Sequence, residues 1–175
     1  SLMNKGLEAI EAKWLFNLQA DQIGIIVHPQ SIIHSMVQFR DGSMKAQMGL
    51  PDMKLPIQYA LAFPDRLPTD WPRFDFANHA AFTFEQPDLT TFSNLALALK
   101  AMERGGNAPC VLNAANEVAV QLFLDERIGF LEMSDLIAHT LEAVAFVPHP
   151  VLTDLEASDA ESRRVARERI PAWRS

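Results

Sequence analysis

Hydrophobic residues near the start of the chain recur with the period of an α-helix. Over residues 4–18 they are spaced three and four positions apart, which predicts an amphipathic helix. The apolar positions are Leu7, Ile10, Trp14, Leu15 and Leu18. The next apolar run, residues 23–27, is short and rich in β-branched side chains, so we predict a buried strand there.

The following segments predict a hairpin and a second helix. Residues 33–39 and 43–48 flank the dipeptide Asp41-Gly42, which supplies the positive φ angles that a tight hairpin turn requires. Residues 53–63 combine helix-forming side chains with a proline on either side, which indicates a helix bounded at both ends. The first third of the chain therefore mixes predicted strands and helices.

The second half of the chain predicts four amphipathic helices joined by short connections. Each has capping or helix-breaking residues near its ends. The predicted starts are Asp88 or Thr90 for the first helix, Pro109 for the second, Ser134 for the third, and Thr153 or Asp154 for the fourth. The corresponding ends are Gly105 and Gly106, then Arg127 and Gly129, then Phe146, and finally Ile170. This order of elements is typical of a four-helix bundle.

The patterns together indicate an α+β fold class with three parts. We predict a mixed α+β piece over residues 1–62 and a helical bundle domain over residues 89–175. Residues 63–88 contain four prolines and alternating aromatic residues, which is typical of a linker.

Composition excludes several classes of function. Of the 175 residues 49% are hydrophobic and 21% are charged, as in globular proteins, and the absence of an 18-residue apolar run argues against a membrane span. The net charge of −7 argues against a nucleic-acid partner. The single cysteine, Cys110, cannot form an internal disulfide, and the first residues lack the apolar region of a signal peptide, so we expect a cytoplasmic location.

Candidate chemistry is concentrated in the first helix. Asn4 and Glu8 lie one turn apart on one helical face, and Lys5 adjoins them. An amide, an ammonium group and a helix N-terminus together suit a phosphate or carboxylate, and the Glu8 carboxylate suits a divalent cation. The alternative is an ordinary solvated helix start, which is the commoner origin of such a pattern.

Other chemical motifs are weaker. His28 and His34 lie between apolar neighbours, where a histidine is most often a hydrogen-bonded structural residue. The seven glycines form neither G-x-G-x-x-G nor a P-loop, so the 175 residues contain no recognisable dinucleotide or ATP site.

Four runs of sequence, in the same order, resemble the 1-deoxy-D-xylulose 5-phosphate reductoisomerase family. Residues 3–16, MNKGLEAIEAKWLF, are similar to the family segment MNKGLE-IEA-WLF. The other runs are VHPQSIIHSMV at residues 27–37 with DGS at 41–43, LPDMKLPIQYAL at 50–61, and NAANE at 113–117. The resemblance implies that the chain is the C-terminal half of such an enzyme, with residues 1–62 ending its catalytic domain.

The resemblance also implies roles for individual residues. It assigns Asn4 and Lys5 to the phosphate of the substrate, and Glu8 to the catalytic Mg²⁺ or Mn²⁺. Weaker assignments place His34, Pro51 and Met53 beside the substrate.

The family activity implied is an NADPH-dependent oxidoreductase and isomerase of the methylerythritol phosphate pathway of isoprenoid biosynthesis. It rearranges 1-deoxy-D-xylulose 5-phosphate to an aldehyde and reduces that aldehyde to 2-C-methyl-D-erythritol 4-phosphate. The resemblance places the NADPH-binding Rossmann domain, two further metal ligands and a flexible loop in an N-terminal part outside these 175 residues. We therefore expect this chain to be inactive by itself.

Family resemblance further implies a bacterial homodimer joined largely through the sheet of the catalytic domain, to which residues 23–49 would contribute. The alternative function is a non-catalytic dimerisation or scaffold module, with a merely solvated first helix and a bundle that serves a partner.

Overall fold

Helices are the main regular elements of the described chain, with one hairpin inserted between the first two. The computed structural model describes residues 1–169. In chain order the elements are α1 (Met3–Leu15), β1 (Ile33–Gln38), β2 (Met44–Met48), α2 (Lys54–Ala62), α3 (Ser93–Arg104), α4 (Ala108–Leu124), α5 (Glu132–Ala143) and α6 (Leu152–Glu168). The predicted α+β class with a four-helix C-terminal part is confirmed. Within residues 1–169 no helix is long and apolar enough to cross a membrane.

Contacts divide the chain into two units. One comprises residues 1–25 with the chain from Pro87 onward, and the other comprises residues 26–86. Helix α1 belongs to the first unit because it packs on α3. The domain boundaries predicted after residues 62 and 88 concern the organisation of the whole protein and stay a prediction.

Helix α4 lies at the centre of the first unit and packs against α3, α5 and α6. The buried apolar side chains of α4 include Val111, Leu112, Ala115, Val118 and Leu122. The next residue, Phe123, is 37% exposed and contacts the Phe130 ring edge-on. Helix α4 therefore supplies a large share of the hydrophobic core of the first unit.

Two glycines end α3 as predicted. Gly105 and Gly106 have φ angles of +66° and +56°, in the left-handed region that favours glycine. A Cβ atom on Gly106 would overlap the Val147 carbonyl oxygen and approach the Phe146 ring to 2.8 Å. Conformation and space therefore both require glycine at position 106.

The predicted starts of the helices are less accurate. Ser134 is not the cap of α5, which begins at Glu132, and its hydroxyl donates to the Leu131 carbonyl oxygen at 2.8 Å. The Asp88 carboxylate caps the turn before α3, and hydrogen bonds from Thr91 and Thr90 lower the pKa of Asp88. The start of α6 agrees with the prediction within one or two residues. Its predicted end near position 170 lies outside the described residues.

A buried asparagine joins three segments of the bundle. The Asn107 amide nitrogen donates to the Ala145 carbonyl oxygen and to the Ser158 hydroxyl, both at 2.9 Å. Its amide oxygen accepts from the Val147 N–H at 3.0 Å. Because Asn107 is 1% exposed, water cannot replace these bonds.

We expect Asn107→Ala to lower the free energy of unfolding by about 2–4 kcal/mol, because it removes three hydrogen bonds, two to part-buried backbone groups and one to the buried Ser158 hydroxyl. Urea denaturation of the purified chain measures this loss. Asn116→Ala, on the same helix, is the control, since the Asn116 side chain makes no hydrogen bond within residues 1–169 and should cost less than about 0.5 kcal/mol. Equal losses in the two variants would contradict the role of Asn107.

The second unit contains the predicted hairpin. Strands β1 and β2 pair antiparallel, with Met36 opposite Ala46 and a local irregularity between Ile33 and Ser35. At the turn, Gly42 has a φ angle of +84°, and the Asp41 carboxylate accepts from the Ser43 N–H at 2.9 Å. Helix α2 follows at the predicted place.

The strand predicted at residues 23–27 is wrong. Within the described chain this run forms one bridge, in which the backbones of Val27 and Glu85 exchange two hydrogen bonds of 2.9 Å. His28 stacks on Phe84 with 4.8 Å between ring centroids, and its Nδ1 lies 3.0 Å from the Thr83 carbonyl oxygen. A strand requires a neighbour along several residues, and part of the predicted linker supplies a partner at a single position.

Candidate functional site

Helix α1 has a buried face and an exposed face. Met3, Gly6 and Ala9 are buried, whereas Asn4, Lys5 and Glu8 are exposed. Residues 4 and 8 are one turn apart, as the sequence predicts. The structure therefore brings the three strongest candidate residues together on one surface of a single helix.

Lys5 and Glu8 form an ion pair on this surface. The Lys5 Nζ donates to the Glu8 Oε2 at 2.6 Å, and the two side chains are 46% and 56% exposed. An exposed pair three residues apart on a helix stabilises it by only about 0.3–0.5 kcal/mol. An incoming anion and cation could therefore separate the pair at small cost, the anion binding the ammonium group and the cation the carboxylate.

The weaker candidates belong to the second unit. His34 lies on β1, and its Nε2 is 3.1 Å from the Gly49 carbonyl oxygen, which orients the exposed ring. Pro51 and Met53 are exposed in the loop before α2. The hydrogen bond to Gly49 ties the histidine to the chain that leads into this loop. Substrate roles for His34, Pro51 and Met53 stay predictions.

A divalent cation fits Glu8 as one of several ligands. Its exposed carboxylate offers the hard oxygen donor that Mg²⁺ and Mn²⁺ prefer. Within residues 1–169 no three His, Cys, Asp or Glu side chains are grouped to hold a metal ion. The chemistry of this donor therefore suits such an ion, and the described residues do not by themselves complete a ligand set.

The NAANE motif at residues 113–117 contributes hydrogen bonds within the helical bundle. The Asn113 amide donates to the Glu117 carboxylate at 3.1 Å, and Glu117 accepts from the Arg163 guanidinium at 2.7 Å. Arg163 also pairs with Asp159 on its own helix. This network links α4 to α6, so the motif has a visible structural role in the bundle.

Comparison with known proteins assigns the chain to a family. The family model for the DXP reductoisomerase C-terminal domain matches residues 48–165. The chain belongs to the DXP reductoisomerase family. A 1-deoxy-D-xylulose 5-phosphate reductoisomerase from Bacteroides fragilis is 59% identical over 170 residues, which cover 97% of this chain and 44% of that protein. The enzyme of the same name from Bacteroides thetaiotaomicron is 60% identical over 171 residues, or 98% and 44% of the two chains.

Solved DXP reductoisomerase structures have the same fold. The enzyme from Zymomonas mobilis in complex with NADPH superposes with a TM-score of 0.89 at 44% identity, covering 97% of this chain and 45% of that one. A DOX-P reductoisomerase in complex with NADPH, fosmidomycin and magnesium gives a TM-score of 0.86 at 37% identity, covering 97% and 44%. The chain thus spans less than half the length of the relatives it matches.

Gly6 is a feature of α1 that the sequence interpretation missed. It lies between Lys5 and Glu8 in the chain but on the buried face of α1, against α3. A lone glycine inside a helical pattern indicates a close approach of another backbone, and this indicator was present in the sequence.

Proposed function

We propose that this chain is the C-terminal portion of an NADPH-dependent enzyme that converts 1-deoxy-D-xylulose 5-phosphate to 2-C-methyl-D-erythritol 4-phosphate. The observation that carries the proposal is the shared exposed face of Asn4, Lys5 and Glu8, on a helix of a chain that belongs to this family. A scaffold module would not need an amide, an ammonium group and a carboxylate on one surface.

In this proposal Lys5 and Asn4 bind the phosphate of the substrate. The Lys5 ammonium group supplies a charge-assisted hydrogen bond, and the Asn4 amide donates a second one. Both groups are exposed at the start of α1, where the helix dipole also favours an anion. Holding the phosphate in this way supplies binding energy that orients the reacting end of the sugar.

We propose that Glu8 ligates magnesium or manganese, with the other ligands outside this chain. The cation, when bound, acts as a Lewis acid on oxygen atoms of the substrate. Magnesium is named in solved structures of DOX-P reductoisomerase that share this fold. Glu8 holds a negative charge one turn from Asn4, so it lies within reach of a ligand anchored at the start of the helix.

NADPH, when bound, supplies the hydride for the reduction. The complexes with similar folds support this cofactor for the whole protein. The absence of a glycine-rich dinucleotide motif from the 175 residues supports a binding site mainly in another part of the protein. The exposed apolar run Trp14, Leu15 and Phe16 at the end of α1 also supports a larger protein in which further chain covers this surface.

The whole protein is further proposed to be a cytoplasmic homodimer. The hairpin supports an interface, because Val37 and Met44 are exposed on strands β1 and β2, and a two-stranded sheet is marginally stable alone.

An assay of NADPH oxidation tests the proposed function. The full-length protein should consume NADPH only when both 1-deoxy-D-xylulose 5-phosphate and Mg²⁺ or Mn²⁺ are present. The isolated 175-residue chain should show no turnover, because it lacks the proposed cofactor domain and the metal ligands other than Glu8. Inactive full-length protein with both ligands present, or turnover by the isolated chain, would contradict the proposal.

A further inference from the structure

The contact between α1 and α3 lies directly behind the candidate site. Successive helical residues are about 100° apart, so residues 4 and 8 each point about 160° away from residue 6. Asn4 and Glu8 are exposed, whereas Gly6 is buried against α3. Any change in the spacing of the two helices at Gly6 therefore moves the exposed face as well.

The helices approach unusually closely at this point. A Cβ atom built on Gly6 would overlap the Cβ of Ala98 and lie 3.6 Å from Leu95 Cδ1. Ala98 and Leu95 are both fully buried, so neither can swing into solvent to make room. Glycine is a poor helix former, and its presence near the start of α1 is explained by this lack of space.

A second contact anchors the other end of α1. The Lys13 Nζ donates at 3.0 Å to the Met102 carbonyl oxygen, in the last turn of α3. Lys13 lies almost two turns beyond Gly6, and Met102 lies one turn beyond Ala98. The two contacts together fix the distance between α1 and α3 and the position of α1 along α3.

We infer that Gly6 and Ala98 are positioning residues for the site on α1. Through their contact, the C-terminal bundle holds the phosphate- and metal-binding groups of α1 at the correct distance from the bound substrate and cation. This inference rests on the proposed function. A helix moves as a rigid body, so a methyl group forced between Gly6 and Ala98 displaces Asn4, Lys5 and Glu8 together. Catalytic groups must be held within about 0.5 Å, and a displacement of about 1 Å can cost roughly a hundredfold in rate.

The test is a set of three variants of the full-length protein. Gly6→Ala should lower kcat/KM for the sugar phosphate about a hundredfold and weaken Mn²⁺ binding measured without substrate. The KM for NADPH should stay within twofold, because that cofactor is proposed to bind elsewhere. Gly24→Ala is the matched control, since a Cβ on Gly24 meets no atom within 4 Å, and it should change none of these values.

A second substitution that restores the activity of Gly6→Ala would identify Ala98 as the residue that the new methyl group meets. Ala98→Gly removes the Cβ that the new methyl group would meet, so the double variant Gly6→Ala/Ala98→Gly should recover kcat/KM and Mn²⁺ affinity to within about fivefold of the parent. General destabilisation would instead lower the melting temperature and alter the KM for NADPH as well. If Gly6→Ala does not fold, Ala98→Ser presses on α1 from the other side and should produce a smaller loss of the same kind.

Some outcomes overturn the inference. Gly6→Ala and Ala98→Ser with the kinetics and Mn²⁺ affinity of Gly24→Ala would show that helix spacing does not control the site. Loss of activity that Ala98→Gly fails to restore would show that another contact is responsible. These results are distinct from a failure of the proposed function, because in that case the parent protein itself would lack the reaction.

Discussion

Replacing Glu8 by glutamine in the full-length protein should lower kcat/KM for 1-deoxy-D-xylulose 5-phosphate at least about a hundredfold, the order expected when a positioned electrostatic group is lost. Glutamine keeps the shape of the side chain but removes the negative charge that the proposed cation binds. We therefore also expect more Mg²⁺ or Mn²⁺ to be needed for half-maximal activity. Steady-state kinetics at a series of metal concentrations measures both effects.

Folding should change little in the Glu8→Gln variant. Glu8 is exposed, and its pair with Lys5 stabilises the helix by only about 0.3–0.5 kcal/mol, so thermal melts should nearly superpose. Glu103→Gln is the control, because it removes a carboxylate from an exposed position of α3 in the same unit. A Glu8→Gln protein within threefold of the parent in kcat/KM would contradict the metal role and favour a solvated helix start.

Lys5→Ala should act mainly on the KM for the sugar phosphate. A hydrogen bond to a charged group contributes about 1.5–3 kcal/mol, so we expect KM to rise roughly 10- to 100-fold. Any fall in kcat reports how much of the phosphate binding energy had been used to orient the reacting end. The KM for NADPH should be unchanged, and initial rates with each substrate varied in turn measure the three constants.

The Lys5 prediction has its own control. Lys100→Ala removes an exposed ammonium group from α3 and should leave every constant within twofold of the parent. An unchanged KM for the sugar phosphate in Lys5→Ala would contradict phosphate binding by α1. The two variants also separate the two roles, because loss of Glu8 should raise the metal requirement whereas loss of Lys5 should not.

The candidate site was predictable where its members lie close together in sequence. Asn4, Lys5 and Glu8 fall within five residues, so helical geometry alone brings them to one surface, and the structure has them there. The chemical roles proposed for them came from the resemblance to the family. How far His34 contributes could not be decided in the same way, because it lies on another element, 26 positions after Glu8.

Several elements were determined by the sequence itself. The Asp41-Gly42 turn, the Gly105-Gly106 helix end and the start of α4 at Ala108-Pro109 depend on the conformations that one or two residues can adopt. Such preferences act over a few bonds and are therefore visible in any stretch of chain. The α+β class and the four C-terminal helices follow from the same local rules.

Only the tertiary structure decided the features that join distant residues. Residues 23–27 have the composition of a strand but, within residues 1–169, find a partner at Val27 alone, in Glu85, because pairing depends on a neighbour that composition cannot reveal. The overlap that excludes a side chain at Gly6 arises from Ala98, which lies 92 positions away. A sequence pattern specifies which face of a helix is buried, whereas the backbone it meets and the distance of approach depend on how the whole chain packs.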